Sequence, residues 1–147
     1  MTRQKSTYLL LLLLGFSFLS IPQVFSQDGS VGKWWNPEKD GIVTIYKKGD
    51  KYYGKISWAK NPRKDTKNPD TSLRSRDVVG SDIFTNFSWD AGEKEWIDGE
   101  VYDPKNGKSY SCYMWLEKNN PNKLHVRGYV MGMTFLGRTE IFTKVEE

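Results

Sequence analysis

The sequence is poor in the residues that most often form cross-links and catalytic centres, since its 147 residues include one cysteine and one histidine. A lone cysteine cannot close an internal disulfide, and Cys112 lies among strand-like apolar neighbours, so we expect a small buried side chain there. His125 stands without a Gly-x-Ser-x-Gly or His-Glu-x-x-His motif in the chain, which argues against a hydrolytic triad or a zinc site. Asp65 and Asp70 could contribute to a calcium site, but calcium takes about six to eight oxygen ligands and this loop does not supply that number in a known pattern. The sequence therefore predicts a protein that is not an enzyme and that holds neither metal nor cofactor.

The chain also lacks a strong excess of charge of one sign. It carries 22 Lys and Arg against 18 Asp and Glu, a net charge of +4, and without Arg3 and Lys5 the balance is 20 against 18, or +2. Nucleic-acid recognition needs a concentrated basic face. We therefore expect no nucleic acid as a partner. The partner expected from the fold and export predictions given below is a small molecule or an envelope protein.

Long apolar runs are absent after the first 26 residues. Arg3 and Lys5 precede an apolar stretch over residues 9–19, and Val24 and Ser26 follow at the two positions that come before a cleavage site. The stretch has about 12 residues, short of the roughly 20 that span a bilayer. The pattern predicts a signal peptide over residues 1–26 and a single domain over residues 27–147 without a membrane anchor. The protein is expected in the periplasm or outside the cell.

No helical period persists beyond this segment. Apolar residues alternate with polar ones or cluster in short runs bounded by Gly, Asn, Asp and Pro, which is the pattern of strands joined by turns. About eight to ten such segments occur, and residues 59–76 interrupt them as one long polar loop. We predict an all-β fold, an antiparallel up-and-down barrel, because closure removes exposed sheet edges. A two-sheet β-sandwich is the alternative.

Two turns decide which residues face inward. The loop Asp103–Gly107 allows either of two registers for the strands that it joins, and the sequence leaves this choice open. Gly132 at the last apex predicts a two-residue turn with positive φ at its first position, which sets Gly128 opposite Gly137.

The motif Gly32-Lys33-Trp34 stands near the start of the predicted mature chain. A Gly-x-Trp opening with an arginine on a late strand resembles the lipocalin-like group of barrels. The resemblance implies that Gly32 and Trp34 close one end of the barrel and that Arg138, or Arg127, lies across the indole as a cation–π partner. It also implies noncatalytic binding of a small, often apolar molecule.

Further short motifs follow in a specific order over nearly all of residues 31–144. They are Gly32-Lys33-Trp34, Gly54-Lys55-Ile56-Ser57-Trp58, Asn68-Pro69-Asp70, Leu73-Arg74-Ser75-Arg76, Gly80, Trp96 with Gly99, Tyr102 to Tyr110, Leu124 with Arg127-Gly128-Tyr129, and Leu136-Gly137-Arg138-Thr139. This set resembles the family of small exported bacterial proteins called domain of unknown function 2147 (DUF2147). The resemblance implies a secreted β-barrel and no established activity.

Arginines give the sharpest hypothesis for a binding site. Arg127 and Tyr129 share one face of their strand, and if that face points inward, Arg127 is a buried cation that needs Glu140 or an anionic ligand. Arg74 and Arg76 at the end of the long loop would add to an anion-binding mouth. The alternative is that the strand arginines are structural, covering rings and pairing with acids.

Three functions remain, in order of preference. The first is an exported noncatalytic binding protein for a small anionic or amphipathic molecule, the second an envelope interaction or structural module with a filled core, and the third a hydrolase that uses paired carboxylates. Free volume inside the barrel separates the first two, because an interior filled by Trp58, Trp96 and Trp115 leaves no room for a ligand.

Overall fold

The computed structural model describes residues 25–147, so nearly all of the predicted signal peptide lies outside the described residues. The strands are β1 (Gly32–Trp35), β2 (Gly41–Lys48), β3 (Lys51–Ala59), β4 (Asp82–Asp90), β5 (Glu95–Asp103), β6 (Lys108–Glu117), β7 (Asn120–Val130) and β8 (Met133–Lys144). A 3₁₀ turn, Thr71–Leu73, lies between β3 and β4. Within residues 25–147, no helix has the length and apolar character needed to cross a membrane.

Each strand pairs antiparallel with the next, and β8 returns to β1. Trp34 lies opposite Lys144 and Trp35 opposite Thr143 at this last seam. The sheet is therefore a closed, eight-stranded, up-and-down barrel. The prediction of an all-β barrel is confirmed, and the β-sandwich is excluded.

The core follows from the alternation of side chains along the strands. On β7, Leu124 and Val126 are buried and the residue between them is less so, because successive side chains point to opposite faces of a sheet. The buried cluster comprises Trp34, Val43, Ile45, Tyr52, Ile83, Phe84, Phe87, Trp96, Cys112, Met114, Leu116, Leu124, Val126 and Phe142. Cys112 is fully buried in it, as expected, and burial raises the pKa of its thiol to about 12.

Residues 25–31 cover one end of the barrel, which we call the closed end. Three buried rings donate hydrogen bonds to this segment: Trp34 Nε1 to Ser30 O at 2.7 Å, Trp96 Nε1 to Gln27 O at 3.0 Å, and Tyr52 Oη to Asp28 Oδ1 at 2.9 Å. Each ring thus buries its apolar body while its polar atom finds a partner.

Trp34 closes this end, as the lipocalin-like motif implies. It is fully buried, and Gly32 begins β1 with φ 135°, a conformation that other residues adopt rarely. The cation over the indole is Lys144, whose Nζ lies 5.3 Å from the ring centroid. The expectation of Arg138 at this place is wrong, because β8 carries Arg138 to the opposite end of the barrel, where it contacts Glu140.

The last hairpin turns at Met131-Gly132, with φ 55° and 68°. Positive φ at both positions is the mark of a type I′ turn, whereas the sequence predicted it at one position only. Because Val130 lies opposite Met133 and Tyr129 opposite Gly137, residues 134–136 bulge out of β8 just after the turn, and Gly128 lies opposite Arg138. The predicted partner, Gly137, is wrong by one residue, which reverses the face on which each following β8 side chain was expected.

At the loop left open, Asp103 lies opposite Lys108, a register that by itself would bring Trp96 opposite Trp115, and a shift further along β5 sets Trp96 opposite Met114 instead. The bulge lies within β5, between Trp96 and Gly99, rather than at Gly107. Trp96 and Met114 are both fully buried.

Candidate ligand-binding site

The half of the barrel away from the closed end is hollow. A cavity of about 730 Å³ opens there between the β1–β2, β3–β4, β5–β6 and β7–β8 connections. We call this end the mouth. The wall of the cavity includes the apolar side chains of Val43, Ile56, Ile83, Phe84, Val101, Val126 and Phe142. A volume of this size falls within the range of pockets that bind small organic molecules.

Tryptophan rings do not fill this half. Trp96 is fully buried, whereas Trp58 is 43% exposed and packs edge-on against Trp35, with 5.7 Å between ring centroids. Trp115 stacks on Tyr113 at 5.4 Å. The three tryptophans therefore do not fill the interior together. Such a filled interior was the condition for an interaction module.

Gly128 contributes to the empty space. It lines the cavity, and a Cβ built on it would lie 3.6 Å from Tyr110 and 3.7 Å from Val101, which is ordinary contact. Gly99 is different, because a Cβ there would lie 2.4 Å from the ring of Phe87. Gly99 is needed for core packing, whereas Gly128 leaves open volume in the cavity.

Charges of both signs line the mouth. Arg138 Nη2 lies 3.3 Å from Glu140 Oε1, and their side chains are 83% and 38% exposed. Arg63, Lys105 and Asp40 line the same opening. An ion pair as exposed as Arg138–Glu140 contributes little to stability, so both groups remain available to a ligand.

A buried carboxylate ties the long β3–β4 loop to the barrel. The side chain of Asp65 is fully buried and accepts hydrogen bonds from Tyr102 Oη at 2.6 Å, Asn68 Nδ2 at 2.8 Å and Arg76 Nε at 3.0 Å, and Arg76 Nη2 forms an ion pair with it at 2.9 Å. We call these four residues the Asp65 clasp. Burial by itself would raise the pKa of Asp65, but the hydrogen bonds outweigh it and hold that pKa below its usual value. Burial and the bond to Asp65 raise the pKa of Tyr102 to about 12.

The two loop arginines that were predicted to bind a ligand instead contact residues of the loop itself. Arg76 binds an anion, but the anion is Asp65 of the same chain. Arg74 Nε donates to Asn68 O at 2.8 Å. A signal for this was present in the sequence, because two arginines in one loop need acceptors and Asp65 lies in the same loop.

The β5–β6 turn packs directly against this loop. A Cβ on Gly107 would lie 2.0 Å from the carbonyl oxygen of Lys67, so no larger residue fits there without movement. The close contact and the Asp65 clasp together fix the loop over one side of the mouth.

Arg127 lies on the outside of the barrel. Its Nε and Nη2 donate to Thr134 O at 2.9 and 2.7 Å, and its Nη1 donates to Thr139 Oγ1 at 2.9 Å. The hypothesis of an inward Arg127 paired with Glu140 is wrong, because Glu140 lies opposite Val126 and lines the cavity. Arg127 instead holds the β8 side of the last hairpin, which agrees with the structural alternative.

Tyr129 neighbours Arg127 and lies at the edge of the opening. It is among the residues that border the cavity, and its ring tilts against Tyr113 with 6.0 Å between centroids. Of the four predicted ligand residues, Tyr129 is thus the one that the structure brings to the cavity, and Arg74, Arg76 and Arg127 are engaged elsewhere.

His125 lies away from the cavity. Its ring stacks on Trp115 at 5.0 Å, and its Nε2 lies 3.4 Å from Glu117 Oε1. Over residues 25–147, no group of three or more His, Cys, Asp or Glu is placed to hold a metal ion.

A closed eight-stranded antiparallel barrel with one covered end and one open cavity belongs to the lipocalin-like class of folds. Among solved structures, the chain is similar to protein HP1028 from the human pathogen Helicobacter pylori, which is described as belonging to the lipocalin family. The two chains are 18% identical, the match covers 80% of this chain and 84% of that one, and the TM-score is 0.71. At this identity the likeness shows the fold alone.

The chain belongs to the bacterial family described as "Uncharacterized protein conserved in bacteria (DUF2147)", which matches residues 32–144. The family resemblance drawn from the ordered motifs is thereby confirmed. A search of curated proteins finds no match to the chain.

Proposed function

We propose that this protein is an exported, noncatalytic binding protein that holds a small amphipathic molecule in the open half of its barrel. The observation that carries the proposal is the cavity of about 730 Å³, with an apolar interior and a polar mouth. Each Å² of apolar ligand surface removed from water there contributes roughly 25 cal/mol. The polar end of the ligand stays at the mouth, where water remains close.

The groups at the mouth suit a polar end of either charge. Arg63, Lys105 and Arg138 offer donors, while Asp40 and Glu140 offer acceptors. Since Arg76 is already bound to Asp65, the lining supports an amphipathic molecule more strongly than a simple anion.

The directions in which the pKa values of Asp65 and Glu95 are shifted favour binding over hydrolysis. A carboxyl group that acts as a general acid needs a raised pKa. The pKa of Asp65, behind the mouth, is held low instead. The carboxyl whose pKa is raised, Glu95, owes the shift to burial and to Glu93 and Asp90, and it lies at the closed end, away from the cavity.

Titration with the fluorescent amphiphile 1-anilinonaphthalene-8-sulfonate tests the proposal. We expect saturable binding at one site in the wild type. Gly128→Leu places a side chain in the cavity and should weaken binding at least about tenfold, because about 1.4 kcal/mol of apolar contact is displaced. Gly128→Ala fits the existing space and should bind almost as the wild type does.

Ile141→Thr on the exposed outer wall is the matched control for probe bound to the surface. Equal affinity of wild type and a correctly folded Gly128→Leu variant, with binding lost in Ile141→Thr, would show that the probe does not occupy the barrel. N-terminal sequencing of protein recovered from the cell envelope tests export, and a mature start at Gln27 is expected.

A further inference from the structure

The tip of the last hairpin exposes apolar side chains beside the mouth. Met131, Phe135 and Leu136 are 87%, 75% and 52% exposed. Val130 and Leu136 also line the cavity, so apolar surface continues from the lumen out to the tip. A contiguous exposed apolar patch of this kind marks an interaction site.

Met131 at this tip is not a residue that the turn itself requires. Its φ of 55° and that of Gly132, 68°, form a type I′ turn, for which asparagine or aspartate before glycine is the preferred pair. A methionine there has a conformational cost and gains no packing, since most of its surface meets water. A residue that the turn disfavours and that adds no packing indicates a function of its side chain.

Charge is distributed unequally between the two ends. The mouth, taken as residues 36–40, 60–81, 103–108 and 130–140, has ten Lys and Arg against seven Asp and Glu, a net charge of +3. The closed end, taken as residues 27–33, 47–51, 90–95, 117–123 and 144–147, has eight of each sign. The positive excess therefore lies at the end of the barrel that carries the apolar tip.

We infer that the mouth docks on an anionic lipid surface, with Met131 and Phe135 entering the headgroup layer and the loop cations contacting the lipid phosphates. An apolar projection flanked by Lys and Arg is the combination that binds such a surface. Docking in this orientation faces the cavity towards the lipid. The inference goes beyond the proposed function and does not depend on it.

A second copy of the chain fits the same face less well. In a twofold dimer the same patch of both protomers forms the interface. Two faces of net charge +3 would then oppose each other. The tip is also small beside the roughly 800 Å² per partner that a stable interface buries. An anionic lipid surface attracts the positively charged mouth, and binding to it does not require a complementary shape.

Co-sedimentation with vesicles tests the inference, using naturally processed protein recovered from its expression host. We expect binding to vesicles of phosphatidylcholine and phosphatidylglycerol in equal amounts, and at least about tenfold weaker binding to phosphatidylcholine alone. Met131→Asn with Phe135→Thr should weaken binding to the anionic vesicles at least about tenfold. Met131→Asn also creates the preferred turn pair, so the melting temperature should stay equal or rise.

Charge is tested by Arg63→Gln with Lys105→Gln at the mouth, which should weaken vesicle binding about fivefold for each cation removed. Lys48→Gln with Lys118→Gln at the closed end removes the same charge and should leave binding unchanged. The exposed control Ile141→Thr should bind as the wild type does.

Absence of wild-type binding to the anionic vesicles, or equal losses in the mouth and closed-end variants, would overturn the inference. A dimer in analytical ultracentrifugation that the Met131 and Phe135 changes dissociate would also overturn it, in favour of a second copy. Gly128→Leu, which fills the lumen, should retain vesicle binding, so failure of either proposal leaves the other testable.

Discussion

Replacing Asp65 with asparagine removes the charge at the centre of the Asp65 clasp while keeping the shape of the side chain. The amide nitrogen can face Tyr102, whose hydroxyl is able to accept, so the remaining oxygen still meets Asn68 and Arg76. The hydrogen bond from Arg76 Nε loses its charge assistance and the ion-pair contact of Nη2 loses its charged partner, a difference of about 1 kcal/mol each. The partner guanidinium is 33% exposed and regains some water, so the total loss is about 2–3 kcal/mol, below the 3–5 kcal/mol of a fully buried broken pair.

Trypsin is a direct probe of this loss, because the loop carries Lys64, Lys67, Arg74 and Arg76 as cleavage sites. Where opening is fast relative to cleavage, the rate follows the population of the open loop. A cost of about 2–3 kcal/mol then raises cleavage within the loop roughly 30- to 150-fold. Denaturant unfolding on the same samples separates local opening of the loop from global destabilisation.

Asp77→Asn is the matched control in the same loop. Asp77 pairs with Lys64 at 2.8 Å, but the two side chains are 67% and 56% exposed, so little change is expected. If Asp65→Asn and Asp77→Asn were cleaved at the same rate, the buried carboxylate would not be what holds the loop.

The effect of Asp65 should depend on pH in one direction. The pKa of Asp65 is held below its usual value, so the stabilisation is complete above the unfolded value of about 4 and is lost as the pH falls through the folded value. The difference in unfolding free energy between wild type and Asp65→Asn, from denaturant unfolding, should therefore be constant near neutrality and shrink below about pH 4. A difference that grew on acidification would contradict the assigned direction.

Two smaller predictions concern the hairpin and the core. Arg127→Ala should cost about 1 kcal/mol, because exposed hydrogen bonds to Thr134 and Thr139 are lost rather than a buried ion pair; a thermal melt that showed a loss of 3 kcal/mol or more, as a buried pair would give, would contradict this placement. The thiol of Cys112 should not react with an aromatic disulfide reagent at neutral pH in the native protein but should react fully in denaturant, since it is buried and its pKa is raised to about 12. Rapid reaction of the native protein would show that the thiol is accessible.

The barrel itself was predictable because its signals are local. Short alternating segments and turn residues give the strands, and the absence of cross-links and of a helical period leaves few ways to cover the sheet edges. Trp34 at the closed end was likewise indicated by its motif. Lys144 over its ring was not, since the pairing of β8 with β1 joins residues from the two ends of the chain and depends on every register between them.

Side-chain direction was the weaker part of the prediction for a definite reason. A single bulge changes the phase of all residues beyond it. The bulge at residues 134–136 of β8 therefore placed Glu140 in the cavity, on the face opposite to Arg127. The Asp65 clasp was predictable only in part, since Asp65 and Arg76 share one loop, whereas Tyr102 lies on β5 and only the folded chain brings it to Asp65.

The residues that carry the family resemblance are unevenly placed around the cavity. Asn68, Arg76 and Tyr102 belong to the Asp65 clasp, and Gly107 packs against the same loop. Most of the apolar wall lies outside that set, including Val43, Ile83, Phe84, Val126 and Phe142. Three of the four clasp residues thus belong to the ordered motifs, whereas Asp65 itself and most of the wall that would contact the apolar part of a ligand do not. We therefore expect relatives that share the ordered motifs to share the mouth and to differ in the size of the molecule that they hold, which titration of two such relatives with amphiphiles of graded chain length would measure.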